Sequence, residues 1–147
     1  KLSLTANELT ELPPEIGELD SLEELHLSFN KLTFLPEEIC KLPNLTHLYL
    51  DFNDLVALPN NIGDLKQLVH LVVGPNQLTK LPDSFYDLKN LNILDLYLSG
   101  PQLQVDKAIC DMWRLEVLYI DQPNLDFTPR CLEIRSRSNP RFTIVLK

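Results

Sequence analysis

The residues with the widest chemical reach in this chain are its three histidines, His26, His47 and His70. His47 and His70 stand 23 residues apart. Imidazole titrates near neutral pH, ligates transition metals and acts as a general base. If these two histidines occupy equivalent places on adjacent strands, they lie about 4.8 Å apart, with His26 diagonal to His47 at about 8 Å. Two imidazoles so placed suit a shared zinc ion, with Glu24 or Asp51 in reach. Zinc ligands also need partners that orient them, and the plainer reading is surface histidines that make the region pH-sensitive. No metal is expected.

The three cysteines, Cys40, Cys110 and Cys131, are odd in number and lack metal-type spacing. Cys40 and Cys110 each follow an isoleucine (Ile39, Ile109) at equivalent points of a repeating unit, away from the histidines, which excludes a Cys–His nucleophile pair there. Cys131 has no histidine in register. The expectation is free structural thiols, no disulfide framework and a slight preference for the cytoplasm. The chain has four glycines and no phosphate-cradling loop, no G-x-S-x-G and no H-E-x-x-H. Catalysis and a cofactor are not expected.

What positions these residues is a repeat. Leu2, Leu25, Leu48, Leu71 and Leu94 recur every 23 residues, as do Leu4, Leu27, Leu50, Val73 and Leu96. Asn7, Asn30, Asn53 and Asn76 keep the same step, followed by Leu-Pro at 12–13, 35–36, 58–59 and 81–82. Ile16, Ile39, Ile62 and Phe85 come next, and Leu19, Leu42, Leu65 and Leu88 close each unit. A fixed period of this length marks a solenoid. The unit L-x-x-L-x-L-x-x-N-x-L-x-x-L-P-x-x-I-x-x-L-x-x resembles the leucine-rich-repeat family, in its 23-residue bacterial or Ras-suppressor-like class. The resemblance implies an α/β solenoid: a curved parallel sheet on the concave face and short helical or 3-10 segments on the convex face. It covers residues 1–132, read as six repeats with the first truncated and the last irregular. Because the chain opens in mid-repeat, upstream sequence is expected.

The alternation in Glu24-Leu25-His26-Leu27-Ser28 is that of a strand with one buried face. One short strand cannot bury that face alone, whereas stacked copies can. The recurring Asn has no apolar reason to recur. Its amide both donates and accepts, so it can satisfy backbone groups where the chain leaves each strand, and stacked copies would form a ladder. Pro after Leu suits the start of a short helical segment. The pattern breaks between Leu94 and Leu118, which are 24 residues apart, where Ser99-Gly100-Pro101 replaces the Asn region. The insertion is either a tolerated bulge or a bend that re-aims the last strands. The sixth unit degrades further, with Pro123-Asn124 at its turn and Thr128-Pro129 in place of Leu-Pro. Residues 141–146 have strand character, and residues 133–147 are read as a closing segment over the last repeat's exposed core.

Register then assigns the open face to the non-leucine strand positions. One column is Lys1, Glu24, His47, His70, Ile93 and Val117. The central one is Ser3, His26, Tyr49, Val72, Asp95 and Tyr119. The third is Thr5, Ser28, Asp51, Gly74, Tyr97 and Asp121. All three histidines and three of four tyrosines fall here, a composition suited to recognition. The expected binding residues are Glu24, His26, His47, Tyr49, Asp51, His70, Asp95, Tyr97, Tyr119 and Asp121. Four acids against one lysine suggest a protein or peptide partner with basic character. Phe29 and Phe52, just past the strands, are expected to pack on each other.

The net charge of −8 disfavours a nucleic-acid partner. No apolar run reaches the roughly 20 residues of a membrane span. Residues 1–129 carry 8 basic and 20 acidic residues, and residues 130–147 carry 5 and 1. The expected function is a non-catalytic binding module. Its rivals are a recognition or spacer segment of a longer enzyme or effector, and an inert scaffold.

Overall fold

The middle residue of each short strand is the one with no exposure: Leu25, Leu48, Leu71, Leu94 and Leu118 are all at 0%, while their neighbours on either side are half-buried. That is the period-two pattern of a one-sided sheet. A computed structural model of the chain describes residues 1–100, 103–121 and 129–146. Its strands are β1 (Leu2–Ser3), β2 (Glu24–His26), β3 (His47–Tyr49), β4 (His70–Val72), β5 (Ile93–Asp95), β6 (Val117–Ile120) and β7 (Thr143–Leu146). They form one sheet in sequential order, every neighbouring pair parallel.

Across from the strands run 3-10 segments at Pro14–Glu18, Glu37–Lys41, Ile62–Asp64, Asp83–Asp87 and Lys107–Asp111. The prolines at 13, 36 and 82 stand immediately before three of them, with φ between −69° and −64°. Before the fifth, Asp106 takes that place and its carboxylate accepts from Ala108 N–H at 2.8 Å. Ile16, Ile39, Ile62, Phe85 and Ile109 turn inward and meet the strand leucines in a single core.

The asparagines tie successive coils together. Asn53 Nδ2 donates to Leu50 O (2.9 Å) in its own repeat and to Leu27 O (3.0 Å) in the previous one, while its Oδ1 accepts from Leu32 N–H at 3.0 Å. Asn30 repeats this with Leu27 O, Leu4 O and Leu9 N–H. Asn76 repeats it with Val73 O, Leu50 O and Leu55 N–H. Asn7 Nδ2 donates to Leu4 O at 2.9 Å and to Thr5 O at 3.3 Å.

At the fifth repeat Ser99 occupies the Asn place. The N–H of Leu78, which an Asn side chain would have satisfied, donates instead to Ser99 O at 2.6 Å. The Ser99 hydroxyl is buried with no hydrogen-bond partner among the described residues. Gly100 then runs so close to the Leu78 backbone that a Cβ would collide with its carbonyl, so this approach admits glycine alone. The sheet passes the insertion unbroken, pairing Ile93 with Val117 and Leu94 with Leu118. The extra residue is thus a bulge that leaves strand register intact.

Helix α1 (Arg130–Ser138) starts at Arg130 and leads into β7, which extends the sheet beyond β6. Leu132 and Phe142 are buried on the last coil. Arg135 projects back and donates to the carbonyls of Met112 (2.9 Å), Trp113 (2.8 Å) and Leu115 (2.8 Å), with its guanidinium 4.7 Å from the Phe142 ring centroid. The expectation of three free thiols is corrected here: Cys110 and Cys131 form a disulfide, Cα to Cα 6.1 Å. The absence of a disulfide had favoured a reducing compartment, and that ground is removed. The unpredicted helix is what brings Cys131 over Cys110. Only Cys40 stays a thiol; burial, with Glu37 and Asp64 nearby, pushes its pKa up to about 12. The irregular turn at Pro123-Asn124, and Thr128, lie outside the described residues.

Asn53→Ala should lower stability far more than Asn7→Ala, because it strands buried backbone groups at about 1–3 kcal/mol each. Urea midpoints of the two variants check this, and equal midpoints would refute the ladder's role. Reduction, or Cys110→Ser, opens a cross-link spanning 21 residues and should cost about 3 kcal/mol. Identical melts with and without reductant would show that the bond contributes nothing.

Candidate binding face

Strand pairing puts the predicted columns where register required them. Glu24, His47, His70, Ile93 and Val117 are successive Cα partners, as are Ser3, His26, Tyr49, Val72, Asp95 and Tyr119. From Glu24 to Tyr119 these side chains are half-buried, standing on a floor whose other face is core.

At the N-terminal half the rings form one connected cluster. His26 stacks on Tyr49 at 4.3 Å between centroids. Tyr49 meets His70 edge-on at 5.2 Å, its hydroxyl 3.4 Å from His70 Nδ1, and His47 meets His70 at 5.7 Å. His26 Nε2 reaches Glu24 Oε2 at 3.2 Å, and Glu24 also pairs with Lys1 Nζ at 2.9 Å. These hydrogen bonds, Lys1 first and His26 second, hold the Glu24 carboxyl down to about 2. The Thr46 hydroxyl donates to Glu23 O and lies 2.9 Å from His47 Nδ1. With its one proton given to the carbonyl, that hydroxyl accepts from His47 Nδ1–H, which fixes the tautomer. Thr46 was not legible as a site residue, since it precedes the strand and carries no repeat signal.

With His26 turned onto Tyr49, the histidines do not converge. Among the described residues no group of three or more His, Cys, Asp or Glu side chains is arranged to hold a metal ion.

The third column differs from the expectation of an open row. Asp121 is buried, and its carboxylate accepts from Leu98 N–H at 3.2 Å, which gives it a structural task in place of the expected exposed one. Ser28 is likewise buried and donates to Asp51 at 2.5 Å. Asp95 accepts from Tyr97 N–H at 2.9 Å. Just beyond this column, Ala6, Phe29, Phe52 and Leu98 all take φ of 54–58°, a conformation that bulky residues rarely adopt. Its recurrence every 23 residues shows that the exit turn demands it. Pro75 interrupts the series, because its ring holds φ negative. Phe29 and Phe52 stack face to face at 4.3 Å, as expected, yet each remains about half exposed.

A leucine-rich-repeat family model matches residues 1–55. A leucine-rich-repeat protein of Leptospira interrogans is 39% identical over 99% of this chain, with a TM-score of 0.68. The chain is a leucine-rich-repeat solenoid. An internalin from Listeria monocytogenes (27% identity, 79% of this chain, TM-score 0.66) and the leucine-rich-repeat ectodomain of a receptor kinase from Arabidopsis thaliana (26%, 82%, 0.69) share the architecture. No curated protein matches the sequence. The chain spans 30% of the Leptospira protein's structure, 33% of the internalin's and 67% of the ectodomain's. Leucine-rich-repeat proteins commonly bind other proteins and are typically non-enzymatic. Among the described residues no helix is long and apolar enough to cross a membrane.

Burial, and then the neighbouring His47, lower the pKa of His70, against an opposing pull from Asp95. The folded state therefore binds fewer protons than the unfolded state as pH falls through the ordinary imidazole value. His70 disfavours unfolding least at low pH, so its contribution is present above about pH 6.5 and is lost below it. The drop in melting temperature between pH 7.5 and 5.5 should be smaller for His70→Gln than for wild type. An equal drop would show that His70 is not a source of acid sensitivity.

Proposed function

We propose that the concave face binds a protein or peptide segment carrying basic and apolar side chains. The observation that carries this reading is the connected cluster of His26, Tyr49, His47 and His70 on strands whose packing obligations are met from the other side. Its rings are held against one another before any partner arrives, so little side-chain entropy remains to be lost on binding. Towards the C-terminal half, Val72, Ile93 and Val117 supply half-buried apolar floor beside Tyr119. Glu24, Asp51 and Asp95 supply negative charge that steers a basic segment.

A second reading, a recognition or spacer segment within a longer protein, is favoured by coverage. The chain accounts for about a third of two of the matched structures, and one match is the ectodomain of a receptor kinase. The two readings are compatible, since a recognition segment acts through its own groove. The Cys110–Cys131 disulfide fits an oxidising compartment, and extracytoplasmic placement replaces the cytoplasmic expectation as part of this proposal.

The double variant Tyr49→Ala, Tyr119→Ala tests the concave face. Aromatic anchors commonly account for about 2 kcal/mol or more when truncated, so affinity for a partner captured by the wild-type chain should fall at least roughly thirtyfold, with a near-normal melt. Undiminished affinity at an unchanged melt would move the binding site off this face, and failure of the wild type to retain any partner would favour an inert scaffold.

A further inference from the structure

Trp113, the chain's single tryptophan, is 76% exposed. It lies outside both the groove and the core, on the flank where the convex segments return to the strands. Beside it is an open hollow of about 670 Å³, within the range of small-ligand sites. Trp113 and Arg114 line it from the junction of the fifth and sixth coils, with Glu116 immediately before β6. Asn90 and Asn92 line it from the coil before, and Arg141 from the cap.

The lining has unused hydrogen-bonding capacity of both kinds. Asn90 and Asn92 donate through Nδ2 to Lys66 O (2.7 Å) and Arg114 O (3.1 Å), which orients the amides and leaves each Oδ1 as an acceptor. Among the described residues Arg114 and Arg141 make no ion pair, and Glu116 makes none either. Arg135, the neighbouring cation, is different: its donors are committed to three carbonyls. The hollow therefore offers fixed acceptors, a carboxylate, two uncommitted guanidinium forks and a 76% exposed indole, over one face of which the Arg135 guanidinium stands 5.9 Å from the ring centroid.

We propose that this flank hollow is a saccharide-binding site. Sugar hydroxyls donate and accept at once, which matches a lining of interleaved acceptors and donors. The C–H face of a pyranose ring lies well on an exposed indole, whose one end is apolar and whose N–H remains a donor. A simple anion would meet two arginines but also Glu116, and would leave the indole unused. With two guanidinium groups against one carboxylate, a uronate-bearing oligosaccharide fits better than a neutral one, its carboxylate meeting an arginine fork in bidentate geometry. The site is separate from the concave face and does not depend on that face binding protein.

Because Trp113 is the only tryptophan, its emission reports on this hollow directly. The intact chain is screened on an array of neutral and uronate-bearing oligosaccharides and then titrated in solution with trigalacturonate, chitotriose and inorganic phosphate. The expected result is array binding, with a saturating change in tryptophan emission on adding at least one of the soluble sugars. Arg141→Ala should weaken that binding about tenfold or more, the effect of removing one charged hydrogen-bonding partner, without shifting the melt. Tyr49→Ala should leave the response unchanged. Absence of array signal above that of an Arg114→Ala, Arg141→Ala double variant would overturn the assignment. So would an emission response to phosphate that equals the response to the sugars, which would make the hollow a plain anion site.

Discussion

Where the chain leaves each of the three-residue strands β2, β3 and β4 the backbone must be satisfied, and the asparagine amide is how this is done. The strand supplies ladder bonds for only a few groups. Beyond it the carbonyls of Leu27 and Leu50 and the N–H of Leu32 are enclosed by core with no ladder partner. Asn53 reaches all three regions with one side chain, and it joins two coils in doing so. The repeat length follows: the amide of each Asn must meet the coil before it at a fixed offset, so a residue added inside the coil would misplace it. Where a residue is added, at the fifth coil, the amide is gone and the Ser99 backbone carbonyl takes over its acceptor role. That substitution leaves a buried hydroxyl with no partner among the described residues and requires a glycine at 100, so the exception follows the same constraint as the rule.

The open face is a consequence of that stacking. Once the asparagines and leucines hold the coils in parallel register, the alternate strand positions are aligned without having to pack. Residues in one column then stand about 4.8 Å apart, close enough for rings on neighbouring strands to touch. This spacing brings His26 onto Tyr49 and His47 against His70. It also explains the exposed Phe29–Phe52 stack: the exit turn imposes a positive φ at the same place in these two neighbouring coils, and side chains there are brought into line whatever their chemistry.

Period carried most of what was readable from the sequence. The strand leucines, the asparagine ladder, the two inner columns and the parallel sheet all follow from a 23-residue step combined with alternation of faces. Features that break the step were not readable. The helix at Arg130–Ser138 has no counterpart in the repeats, so the Cys110–Cys131 bond it creates could not be seen in the cysteine count. Arg135 reads as one of several tail cations, yet in three dimensions it satisfies three carbonyls of the last coil. Asp121 occupies a column position by spacing, but the strand before it is one residue longer than β2 to β5. Its carboxylate is drawn in to Leu98 N–H, at the coil where the Asn is missing.

The two surfaces differ in charge for a reason rooted in the cap. The segment that starts at Arg130 is basic, and its Arg135 donates to the carbonyls of Met112, Trp113 and Leu115. The remaining cations of the segment are not consumed by that task, and Arg141 is left beside Arg114 at the edge of an otherwise acidic body. Val69, Asn92 and Glu116 on the flank immediately precede His70, Ile93 and Val117 in the groove, one residue and about 3.8 Å of backbone apart. The flank hollow and the concave face therefore share a border along the starts of β4, β5 and β6. A ligand reaching past that border would touch a mildly basic hollow on one side and an acidic aromatic groove on the other.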